Sequence, residues 1–164
     1  MTDTSIPQPT AGQLLRSPTM LLAFGFGSGL APKAPGTFGT LMALPFWWFL
    51  QFLPPAQYLA VVVVTALVGC YLCGAASRAL GVHDHGGIVW DEMVGYWLTM
   101  FMAPAGWGWA LYGLVLFRLF DIAKPQPIGW VDRRVHGGVG IMLDDILAAG
   151  YAALILQLTA AWIG

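Results

Sequence analysis

Charge is what this sequence has least of. Asp, Glu, Lys and Arg together make up 9% of its 164 residues, where an average soluble domain carries roughly 25%. Cysteine is almost missing as well. Cys70 and Cys73 are the only two, and both lie in an apolar run, which leaves no basis for a disulfide framework. A Cys-x-x-Cys redox or metal role lacks polar company there, so two small buried side chains are the better reading. No basic excess exists either, since the formal net charge is −1. Binding to a phosphate backbone needs a basic face, and nucleic acid is excluded as a partner on that ground. Residues 1–17 contain no apolar core, and they read as a loose polar tail rather than a cleavable signal peptide.

What the chain has in quantity is hydrocarbon. Apolar residues make up 58% of it and eight are Trp, with a mean hydropathy of +0.71. The bilayer is the solvent such a composition suits. Leu41–Leu53, Ala56–Ala76, Met93–Ala103, Gly106–Phe117 and Ile146–Gly164 are free of charge. A spanning helix needs about 20 residues, which Ala56–Ala76 and Asp145–Ile163 supply and Thr37–Leu53 barely approaches. Backbone groups in hydrocarbon must pair within their own segment, so these runs are expected to be helices. The expected fold is all-α: a polytopic integral-membrane helical bundle with short or re-entrant helices. Residues 18–164 are expected to form its single membrane-embedded domain.

Parity then assigns sides. Pro54-Pro55 reads as one turn and Pro104-Ala105-Gly106 as another, which makes Met93–Ala103 and Gly106–Phe117 a helical hairpin. Residues 24–40, 77–92 and 118–145 then emerge on one face together. All seven basic residues (Arg16, Lys33, Arg78, Arg118, Lys124, Arg133 and Arg134) fall on that face. By the positive-inside rule it is cytoplasmic. A single kinked span from Met93 to Phe120 would divide the basic residues between two sides, and it ranks lower.

Three polar segments share this face. The first, Gly25–Gly39, is rich in glycine and proline. Its backbone N–H groups could approach an anion, with Lys33 adding charge, or its glycines could serve close helix packing. Thr37 is placed to cap the helix that follows. The second, His83–Gly95, sets Asp91 and Glu92 at the start of an apolar helix. There they either balance the helix dipole or form part of a site at the rim of the hydrocarbon. The third, Phe117–Asp145, puts Arg118 and Asp121 three residues apart on one helical face, with Lys124 a turn further on. Pro125 and Pro127 end that helix, and Asp144 and Asp145 open the last one. Carboxylates gathered without Cys and with few His favour a hard, oxygen-liking cation such as Mg²⁺. Lys and Arg beside it suit a phosphate ester.

At these segments the chain closely resembles the bacterial phosphatidylglycerophosphatase A family. The resemblance is carried by Gly25–Gly39 with its Pro35-Gly36-Thr37, by Asp84-His85-Gly86 through Trp90-Asp91-Glu92, by Arg118–Pro127 and by His136–Asp145. It covers essentially residues 20–164. It implies Mg²⁺-dependent hydrolysis of phosphatidylglycerophosphate to phosphatidylglycerol and inorganic phosphate, in phospholipid synthesis at the bacterial cytoplasmic (inner) membrane. It implies metal and catalytic roles for Asp91, Glu92, Asp121, Asp144 and Asp145. Phosphate contacts or acid donors are implied in Arg118, Lys124, Arg133, Arg134 and His136, with Lys33 and Thr37 as further phosphate ligands. Asp84 is a further candidate, and His83 and His85 are either a proton shuttle or helix-start hydrogen-bond partners. No Pro-Ser-Gly-His and no Cys-x5-Arg occurs, which argues against histidine- and cysteine-nucleophile phosphatase chemistries.

Overall fold

Three prolines mark where helices begin. Pro18, Pro35 and Pro55 each occupy the first turn of a helix, where a missing N–H leaves no bond unmade. The computed structural model describes residues 8–163. Eight α-helices follow one another in it: α1 (Ala11–Leu15), α2 (Pro18–Ala23), α3 (Pro35–Leu50), α4 (Pro55–Leu80), α5 (Trp90–Thr99), α6 (Trp107–Ala123), α7 (Ile128–Arg134) and α8 (Gly137–Ile163). A tight 3₁₀ segment over Gly25–Leu30 lies between α2 and α3. No strand occurs among the described residues, so the protein is all-α.

Cross-helix contacts fix the directions. The Tyr96 hydroxyl donates to the Ala110 carbonyl at 3.0 Å, and Arg118 meets Glu92 at 3.5 Å. Helices α5 and α6 are therefore an antiparallel hairpin, and the kinked single span is excluded. Tyr58 donates to the Trp97 carbonyl at 2.6 Å and Trp90 Nε1 to the Thr65 carbonyl at 3.0 Å, so α4 runs against α5. Trp97 Nε1 reaches the Ala43 carbonyl at 3.0 Å and Gln157 Nε2 the Phe101 carbonyl at 3.0 Å, which sets α3 and α8 parallel to α5. The starts of α3, α5 and α8 and the ends of α4 and α6 consequently meet at one end of the bundle. The Pro54 turn, the Pro104 turn and the end of α8 lie at the other.

Helices α4 and α8, with 26 and 27 residues, are long and apolar enough to cross a membrane. At 1.5 Å per residue, α3 with 16 residues and α5 with 10 are shorter. Apolar side chains are not confined to the interior. Leu111, Val115, Leu119 and Ile122 form an exposed stripe along α6, and Val63, Val64, Leu67 and Tyr71 an exposed face on α4.

Several expected boundaries shift. The polar stretch expected to be loose through residue 17 instead forms α1, because Thr10 and Gln13 make a reciprocal capping box and Leu14 is buried. Residues 1–7 of that expected tail lie outside the described residues. Thr37 is no cap: Ala34 takes the cap position at φ 49°, Pro35 starts α3, and Thr37 sits within its first turn. Nor do Asp144 and Asp145 open α8. It begins at Gly137, which places Asp145 about 12 Å along the helix. The run Gly137-Gly138-Val139-Gly140 reads as loop, yet it is helical because of what it packs on. A Cβ on Gly138 would overlap the Cys70 carbonyl, and one on Gly140 the Val135 carbonyl. Close backbone packing offsets the roughly 1 kcal/mol that each glycine costs a helix.

Candidate active site

The converging helix ends bring the rare charges together. Asp91 and Glu92 occupy the first turn of α5, where the helix dipole favours negative charge. Asp144 and Asp145 come from α8, and Asp121 from the last turns of α6. Ligand oxygens of Asp91, Glu92 and Asp145 lie within 4.8 Å of one another, and so do those of Asp121, Asp144 and Asp145.

Two cations pair with three of these five carboxylates. Arg118 Nη1 donates to Asp121, three residues on, and to Glu92 at 3.5 Å. Lys124 Nζ bonds Asp144 at 2.6 Å and Asp132 at 2.8 Å. Lys124 is the C-cap of α6 with φ 43°, and this left-handed turn carries it away from Asp121 toward α7 and α8. Burial alone would lower the Lys124 ammonium. Its bonds to Asp132 and Asp144 outweigh that and hold it above its ordinary value.

Glycines set how closely the elements approach. A Cβ on Gly36, in the first turn of α3, would overlap Glu92 Oε1 and lie 2.9 Å from both terminal nitrogens of Arg118. A Cβ on Gly95 would lie 2.6 Å from ring carbons of Phe117 and 3.4 Å from Asp145 Cβ. Gly95 thus allows α5, α6 and α8 to close around the carboxylates. Sequence reasoning missed Gly95 as part of the site, and it counted Asp132 among the gathered carboxylates without assigning it a role. The signal for Gly95 was its position one turn after Asp91-Glu92, while nothing local to Asp132 predicts that α7 returns it to Lys124.

Of the other expected residues, Thr37 flanks Gly36 and is half-buried, and Lys33 is exposed. Arg133 and Arg134 are exposed on α7, the second lying over the Trp130 ring at 5.7 Å. None of these three basic residues makes an ion pair among the described residues. His136 is exposed, its ring 4.9 Å from that of His83. His83 Nε2 in turn accepts the Gly137 N–H at 3.1 Å. His85 is turned inward against Phe24, and its Nδ1 accepts the Gly87 N–H at 3.0 Å. Asp84 is exposed in the same loop, close enough for charge interaction with Lys124 and Asp132.

The donor set fits a hard cation. Asp91 Oδ1, Glu92 Oε2 and Asp145 Oδ2 are buried without a hydrogen-bond partner, a costly arrangement for carboxylates unless a cation satisfies them. All the candidate ligands are carboxylate oxygens, the donors that Mg²⁺, Ca²⁺ and Mn²⁺ prefer. Arg118 Nε is also buried without a partner, leaving one guanidinium donor for an anion.

Fold and site together thus define an all-helical protein able to hold a metal ion beside an anion at one end of its bundle. The chain belongs to the phosphatidylglycerophosphatase A family, whose model matches residues 21–160. It is 51% identical over 143 residues to "Phosphatidylglycerophosphatase A" of Escherichia coli (strain K12), covering 87% of this chain and 83% of that one. It is 44% identical over 150 residues to the protein of the same name in Haemophilus influenzae, covering 90% and 92%. A Bacteroides thetaiotaomicron protein provisionally named a phosphatidylinositol-3-phosphatase is 37% identical over 152 residues, covering 88% and 94%. No solved structure matches the chain.

Proposed function

We propose that the protein hydrolyses the terminal phosphate monoester of phosphatidylglycerophosphate, releasing phosphatidylglycerol and inorganic phosphate, with Mg²⁺ as cofactor. The observation that carries this reading is the set of buried, unpartnered carboxylate oxygens beside Arg118, in a chain of this family. Asp91, Glu92, Asp121, Asp144 and Asp145 would hold the cofactor. When bound, Mg²⁺ neutralises charge on the phosphoryl oxygens. Arg118 offers its unpartnered Nε to a phosphate oxygen, and Lys124 offers a second positive charge from the loop after α6. Two fixed cations beside a desolvated phosphate stabilise negative charge as it moves during in-line displacement. His136, on the loop leading into α8, is proposed as proton donor to the glycerol oxygen. Lys33, Thr37, Arg133 and Arg134 are proposed as outer contacts to the headgroup, with Asp84 and His85 as lesser members.

The surroundings suit a lipid substrate. We read residues 18–164 as one membrane-embedded domain in the bacterial inner membrane, multi-pass, with the site facing the cytoplasm. Apolar stripes exposed on α4 and α6 support this, because a water-facing surface would seldom carry them. The basic residues, all on the side of the site, support the orientation. A site at the bundle end meets a wet headgroup while the acyl chains stay in hydrocarbon.

The test is phosphate release by purified protein in detergent, with Mg²⁺ and then with EDTA. Phosphatidic acid and phosphatidylinositol 3-phosphate serve as competing substrates. Chelator-sensitive release favouring phosphatidylglycerophosphate is the expected result. Preference for either competitor would refute the substrate assignment, and no release from any of the three by folded protein would refute the reaction.

A further inference from the structure

Resting on the metal-dependent reading above, we propose that the site holds two divalent cations side by side, with Asp145 contributing to both. The ligands fall into two groups of three, Asp91–Glu92–Asp145 and Asp121–Asp144–Asp145, and Asp145 alone belongs to each. A carboxylate has two oxygens and can serve one cation with each. The α8 register makes this sharing possible. Because the helix begins at Gly137, its neighbouring Asp144 and Asp145 sit well inside the bundle, between α6 on one side and α5 on the other.

A second observation points to ligands rather than to a solvated acidic cluster. Asp91 and Asp145 are only 6% and 3% exposed, and each has a carboxylate oxygen with no partner. Arg118 and Lys124 do not meet this demand. Arg118 Nη1 takes one carboxylate from each group, Glu92 and Asp121, while Lys124 takes Asp144. Neither cation bonds Asp91 or Asp145.

Charge balance favours the higher number. With Asp132, which Lys124 also bonds, six carboxylates face two cations, an excess of four negative charges. One divalent cation would leave the site at −2, and a phosphate monoester dianion would take it to −4. Two would bring it to neutrality, and the same dianion would then leave −2. Uncompensated charge is expensive where water is excluded. Of the two states, the two-cation one does not repel the dianion and ends nearer neutrality.

The experiment counts metal directly, without turnover. Full-length, untagged protein in detergent is stripped with EDTA, titrated with Mn²⁺ and followed by equilibrium dialysis and electron paramagnetic resonance. The expected result is two Mn²⁺ per chain with a spin-coupled spectrum. Asp91→Asn and Asp121→Asn should each weaken one Mn²⁺ by at least on the order of tenfold and leave the other with an uncoupled spectrum. Asp145→Asn should weaken both. Thermal unfolding in EDTA confirms that each variant is folded. A single uncoupled Mn²⁺ in the unmodified protein would overturn the two-cation proposal and leave a metal-dependent reaction standing. No Mn²⁺ at all would overturn the metal-dependent reading itself. Two sites of which Asp145→Asn weakens only one would overturn the sharing.

Discussion

Replacing Gly36 by Ala separates positioning from folding in this site. Position 36 lies in the first turn of α3, so Ala is compatible with the backbone, and the helix gains up to about 1 kcal/mol. The new Cβ would stand 2.9 Å from both terminal nitrogens of Arg118 and closer still to Glu92 Oε1. Ordinary contact begins at 3.4 Å, so the guanidinium must retreat about 0.5 Å and the Glu92 carboxylate about 1 Å. Both are the far ends of flexible side chains, and the fold can absorb the change. The chemistry cannot, because a displacement of about 1 Å in a positioned group costs on the order of 100-fold in rate, about 2.7 kcal/mol in barrier height. The assay pairs the turnover number for phosphate release with the thermal midpoint in detergent. Gly150→Ala is the control, since a Cβ there meets nothing within 4 Å. Turnover should fall about 100-fold for Gly36→Ala with its midpoint nearly unchanged, and stay within about twofold for Gly150→Ala. Undiminished turnover in Gly36→Ala would refute the assignment of Glu92 and Arg118. A collapse of its midpoint would refute the positioning argument.

Two further outcomes test the frame around the site. Gly95→Ala drives a Cβ into the Phe117 ring, and overpacking of this kind costs about 1–3 kcal/mol; the thermal midpoint should drop and turnover fall with it. His85 tests the α4–α5 loop. Burial holds its imidazole below the ordinary 6.5, against a smaller opposing pull from Asp84. As pH falls, the unfolded chain takes up this proton before the folded one, so stability is lost below about pH 6.5. Thermal midpoints from about pH 8 to about pH 5 should show that loss, and His85→Gln should flatten it.

Much of the site was legible because charge is so scarce. In a soluble protein, Asp91-Glu92 or Asp144-Asp145 would vanish among dozens of surface acids. Here each interrupts hydrocarbon, and the Pro104 turn folds Arg118 back to Glu92 as parity requires. The start of α5 at Asp91-Glu92 was legible, but those of α3 and α8 were not. Gly137–Gly140 carries loop chemistry and is helical through its packing on Cys70 and Val135, while α3 starts at Pro35 after an alanine held at positive φ. The fate of the histidines was hidden for a similar reason. A motif places His85 beside an acid in sequence, but the ring is buried against Phe24 and its Nδ1 is engaged by the Gly87 N–H.

Helix α8 packs on α4, α5, α6 and α7, and it follows all four of them along the chain. Until it arrives, the growing chain carries Asp91, Glu92 and Asp121 on the α5–α6 hairpin and lacks Asp144 and Asp145. No earlier fragment contains Asp144 or Asp145, so no earlier fragment contains either complete ligand group. On the proposed assignment, neither ligand group can assemble before α8 is made and packed. A chain that stops before residue 144 lacks Asp144 and Asp145 outright, and with them a member of each proposed ligand group.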